Sequence, residues 1–190
     1  MSAALRSFAI LAVGAAVWAQ AQPAPQPVAG MLNPWEIAPV LEEISAHGAR
    51  LSGALAHIDV HRWIERGAPD TYLEQWQSSA EQAKALADTA GTLARHPEKL
   101  SLGLDVLFRI QALETMTGSL AAAMRKYQTP ADAAALTALA AENGANRSRL
   151  ERYLVNLAAD REQQLQVMDS EAQRCRALLT EPPSQPARKR

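Results

Sequence analysis

From Asn33 to Leu179 the apolar residues return at three- and four-residue steps, and the pattern lapses at prolines set beside capping residues or glycine. A chain punctuated in this way is a series of amphipathic rods joined by short turns. The alternating Val, Ile and Thr that strands need is missing, aromatics are few and Ala is abundant, which favours helices packed closely on one another. The expectation is an all-α fold, an up-and-down four-helix bundle with a long fourth helix. At 190 residues the chain is long enough for one such domain with a real core.

The first rod starts at Asn33-Pro34, a capping residue followed by proline at the first helical position, and its stripe of Ile37, Val40, Leu41, Ile44, Leu51, Leu55 and Ile58 predicts a helix to about Arg66. Gly67 can take the left-handed conformation that ends a helix, Pro69 suits a first helical turn, and Asp70 offers a carboxylate to the free N–H groups there. Trp63, Tyr72 and Trp76 surround that turn, and antiparallel helices would gather them into a plug or a partner surface. The second rod runs from Asp70 to His96-Pro97 on an Ala-rich face. The third starts between Pro97 and Ser101 and reaches Tyr127, with Val106, Ile110, Leu113, Thr117, Leu120, Met124 and Tyr127 as its seam and Leu102, Leu107, Phe108 and Met116 widening it.

Thr129, Pro130 and Asp132 open the fourth rod with the strongest start signal in the chain. Its pattern persists to about Leu179, far longer than the first rod, with Asn143-Gly144 as the weak point. Either the helix kinks or breaks there, leaving a short Ala-rich helix and a long one, or it projects as a rod; a kinked or nearly continuous helix is the expectation. Leu154, Ala158, Leu165, Met168, Ala172, Cys175 and Leu179 continue a three-four seam with Arg161 inside it, so an overhanging end would invite another helix from a protein partner or a second copy.

The ends of the chain read differently. Arg6, the apolar run Phe8 to Val17 and Ala19-Gln20-Ala21 have the order of a secretory signal peptide, with cleavage expected after Ala21. The run is too short to span a bilayer, which takes about 20 residues. A proline-rich linker follows over 22–32, the bundle domain is expected over 33–180, and 181–190 reads as a disordered basic tail. The expected location is periplasmic or secreted. The single cysteine, Cys175, excludes an internal disulfide and is either a small packed residue or an intermolecular link.

A formal net charge of −1 gives no electrostatic reason to expect nucleic acid. His57 and His61 stand four apart, the spacing of two metal ligands on one helical face, and with Asp59 behind them they are the candidate Zn or Cu pair. No paired Glu-x-x-His, Cys-x-x-Cys-His, Gly-x-Ser-x-Gly, His-Glu-x-x-His or phosphate loop occurs. The expectation is a non-enzymatic binding or structural module without a cofactor. The alternative is a ligand- or metal-binding bundle using the His57/His61 face.

Overall fold

The computed structural model describes residues 34–180, and the expected signal peptide, linker, Asn33 cap and basic tail lie outside the described residues. Those residues form six helices and no strand: α1 (Pro34–Ala56), α2 (Val60–Glu65), α3 (Thr71–Arg95), α4 (Leu100–Tyr127), α5 (Pro130–Ala141) and α6 (Gly144–Thr180). The protein is all-helical, as its spacing implies.

Neighbouring helices run antiparallel. On α1 and α3, Gly48 lies against Ala83 and Ala87, while the Trp76 indole reaches Leu55. A Cβ on Gly48 would fall 2.9 Å from the Ala83 carbonyl oxygen, so the glycine permits the close approach that the Ala-rich face of α3 suggested. Ser45 closes the same contact by donating its hydroxyl to the Ala87 carbonyl at 2.7 Å. Between α3 and α4, the Arg109 guanidinium donates to Gln82 at 2.8 Å. α5 and α6 follow α4 back down its length, with Arg147 paired to Glu114 and Tyr153 donating to the Pro97 carbonyl at 2.9 Å. α1 meets the same pair of helices where Arg50 and Glu142 form an ion pair at 3.0 Å and Asn146 donates to Glu43 at 3.0 Å.

The core is the expected stripe of α1 packed on Ala83, Leu86, Ala90 and Leu93 of α3 and the whole predicted seam of α4, from Val106 to Tyr127. Trp63, Leu136, Leu150, Tyr153 and Leu154 complete it. Burial of that apolar surface, at roughly 25 cal/mol per Å2, is what stabilises helices too short to stand alone.

Four expectations need correction. The first helix does not run to Arg66: it stops at Ala56, and α2 restarts after Asp59, whose carboxylate accepts from the Arg62 N–H. The long fourth helix is two helices, because Glu142 and Asn143 interrupt it at the expected weak point. Phe108 does not widen the α4 face but stands 61% exposed, since no neighbour covers that side of the helix. Cys175 is exposed, not packed, because it lies on a stretch of α6 beyond its neighbours.

The α2–α3 turn carries the full glycine-capped ending. Gly67 has φ of 87°, its N–H reaches Ile64 at 2.9 Å, and the Ala68 N–H reaches Trp63 at 3.0 Å. Asp70 makes no side-chain cap bond, because its backbone is already helical at φ −62° and ψ −20°. At the next turn Thr129 behaves as expected: its hydroxyl oxygen accepts from the Asp132 N–H at 3.1 Å and its O–H donates back to the Asp132 carboxylate at 2.7 Å.

Candidate functional site

Three places collect the residues that chemistry or recognition would need. The first is the aromatic end. Trp63 and Tyr72 meet edge to face with centroids 6.2 Å apart, and Tyr72 meets Tyr127 at the same distance. Tyr127 arrives from the end of α4, a contact that no local spacing announces. Trp76 takes another role: its indole N–H donates to the Leu55 carbonyl at 2.7 Å, a second bond to an oxygen near the C-terminal end of α1 that also accepts from the Ile58 N–H at 3.1 Å. The Trp63 indole donates to Gln128, Gln128 donates to Asp132, and Arg66 donates to the Tyr127 carbonyl at 2.7 Å. Hydrogen bonds from Thr129 and then Gln128 hold the Asp132 carboxyl below the usual carboxylate range. With Trp63 only 1% exposed, this end is a latch whose two indole N–H groups are bonded within the protein.

The two histidines of the candidate metal pair lie beside the latch but on different elements. His57 sits in the turn after α1 and His61 in the first turn of α2, both exposed, so the helical face that their spacing implied is interrupted between them. Asp59 is engaged as the cap of α2. His57 borders an open groove of about 280 Å3 with Ile58, Met124 and Leu136. Among the described residues, no three His, Cys, Asp or Glu side chains come together as a metal would require.

The second place is the joint between α5 and α6. Asn143 turns inward there, and His47 of α1 is buried beside it. Both line a cavity of about 10 Å3, the size of one water centre, with Thr117 and Glu114 of α4. The His47 Nδ1 and the Asn143 side-chain oxygen have no protein hydrogen-bond partner. Burial, reinforced by the nearby Arg50 charge and opposed by Glu142, lowers the affinity of His47 for a proton. Glu114 and Arg147 close the joint on the α4 side as an ion pair. Neither the burial of His47 nor the inward turn of Asn143 is announced by the sequence, which marks Asn143 only as a weak point of the helix.

The third place is the far half of α6. Its near half is held: Leu150, Tyr153 and Leu154 are buried, burial and the neighbouring Glu98 raise the Tyr153 phenol, and Arg161 reaches the Glu98 carbonyl and Gln164. Every residue from 161 to 179 is exposed. The segment extends about 30 Å past the bundle at ~1.5 Å per residue, and along it Leu165, Met168 and Leu178 are each about two-thirds exposed. Cys175 is on this arm, whereas Trp63, Tyr72 and Trp76 are in the latch, so the structure divides the four expected partner-binding residues between two sites.

Compared with family models, curated proteins and solved structures, the chain finds no significant match. No described helix is long and apolar enough to cross a membrane.

Proposed function

We propose that this is an exported, non-enzymatic interaction protein, an up-and-down four-helix bundle whose fourth rod is kinked and whose far end docks a helix of another protein chain. One observation carries the reading: the exposed arm over 161–179, where an apolar seam continues with Leu165 and Met168 about two-thirds exposed and Leu179 86% exposed. Most helical stability in proteins comes from packing an amphipathic face against another segment. Exposed apolar surface arranged along one helix face is the recognised half of a helix-to-helix interface. The four long rods, α1 with α2, α3, α4 and α5 with α6, contact one another in a closed ring, which supports the bundle reading. The leader-like N-terminus supports export.

A photo-reactive residue placed at position 168 in the native host tests the docking reading. An adduct at 168 and none at Lys84, which is exposed on α3, is the expected result. Absence of any adduct at 168 would sink it. N-terminal sequencing of the mature protein, expected to begin at Gln22, tests export independently.

A further inference from the structure

We infer that the arm of α6 docks on the arm of a second copy, antiparallel, with Leu165 opposite Cys175 and Met168 opposite Ala172 of the other chain. The inference rests on the reading of the arm as a docking element and names its occupant. Of three observations, size and space choose that occupant and its direction, and charge is compatible with it.

The first is size. The seam runs large, large, small, small, large: Leu165, Met168, Ala172, Cys175 and Leu179. Antiparallel overlap sets each large residue of the central layers against a small one, which fills the interface evenly. Parallel overlap would set Ala172 on Ala172 and Cys175 on Cys175, leaving thin layers next to thick ones.

The second is charge. Over residues 160–171 the arm carries Asp160, Glu162, Asp169 and Glu171 against Arg161, and over residues 172–179 it carries Arg174 and Arg176. In the antiparallel register Asp169 and Glu171 meet their own copies near the two-fold axis, whereas a parallel register would set Glu171 beside Arg176 of the other chain, so charge allows both directions. In the antiparallel register Glu162 flanks Arg176 of the other chain, twice by symmetry.

The third is space. At about 100° per residue, Leu165, Met168, Ala172, Cys175 and Leu179 all lie within roughly 60° of Leu154 around the helix. Leu154 is buried against Gly103 of α4, so the exposed seam looks along the same side as the protein's own bundle. Parallel pairing through that side would bring two bundles into one volume. Antiparallel pairing places them at opposite ends, with each arm filling the space beyond the other's α3–α4 turn.

The purified protein tests this by sedimentation equilibrium and by thiol cross-linking. A reversible monomer–dimer equilibrium is expected, weakened at least tenfold by Met168→Glu with no change in the unfolding midpoint of the dilute monomer. Glu171 faces its own copy near the two-fold axis, so Glu171→Gln is expected to tighten the dimer; in a parallel pair it would lose Arg176 and weaken it. Leu165→Cys in the presence of native Cys175 should give covalent dimer with diamide, which takes the two electrons and two protons of the thiols as the S–S bond forms. Within one helix these positions are ~15 Å apart, too far to join. A monomer at all concentrations, a weaker Glu171→Gln dimer, or wild-type cross-linking through Cys175 as rapid as that of the Leu165→Cys protein would each overturn the inference. If the position-168 probe then captures only a different protein, docking stands and self-pairing falls; if it captures nothing, both fall.

Discussion

The two ends of this molecule treat apolar and aromatic side chains in opposite ways. At the latch, four aromatic residues come from three helices, and the tips of Trp63, Trp76 and Gln128 are bonded to groups of the same chain. On the arm, side chains of similar apolar size stand exposed, although the heptad pattern is as regular as that buried on α4. A regular seam therefore does not by itself indicate burial. What decides is whether another segment lies alongside, and the arm is longer than everything beside it.

The difference is most sharply exposed by removing the latch. Trp63→Ala deletes a side chain that is almost fully buried, together with the indole bond to Gln128, and should cost about 3–5 kcal/mol, read as a lower denaturant midpoint. A loss under about 1 kcal/mol would mean that the aromatic end is as dispensable as the arm. Gly48→Val comes next. Its Cβ would press on the α3 backbone at Ala83 and Ala87, where no side chain can rotate away, so a loss of about 1–3 kcal/mol is expected. Thr129→Ala removes a cap at the latch and should cost about 1 kcal/mol, measured the same way.

These elements differ in how far the sequence disclosed them. The Thr129 cap, the Gly67 turn, the α4 seam and the break at Asn143-Gly144 all depend on residues within a turn of one another, and such local chemistry is readable. The break at His57–Asp59 carried a signal too, since Asp59 is a good cap, but Ile58 and Val60 keep the apolar stripe nearly continuous across it. The hydrophobic pattern masked a backbone interruption, and with it went the shared face of His57 and His61. Tyr127 in the latch and His47 beside Asn143 depend on tertiary approach across tens of residues. Their partners cannot be inferred from spacing.

His47 supplies a test that neutral solution hides. Burial and Arg50 lower its folded-state proton affinity below that of an unfolded histidine, at pKa about 6.5. The unfolded chain therefore binds more protons, and the stability contributed by neutral His47 is complete above that pH and lost progressively as pH falls below it. Unfolding midpoints should drop between neutral and mildly acidic pH, and His47→Gln should flatten that part of the curve. An unchanged slope in the variant would assign the acid sensitivity elsewhere.

The smallest expected change is the one that separates the two ends most cleanly. Met168→Ala removes as much apolar volume as many core substitutions, yet Met168 is 65% exposed, so dilute monomer should unfold at the wild-type midpoint within about 0.5 kcal/mol. Three methylene-sized groups lost from the core would cost several times more. The comparison must be made at low concentration, because stability that appears only when protein is concentrated belongs to association and follows mass action. A concentration-independent loss near that of Thr129→Ala would mean that the arm folds back onto its own bundle in solution. A loss that grows with protein concentration would instead place the missing contact on another chain, which is what docking through the exposed seam of α6 requires.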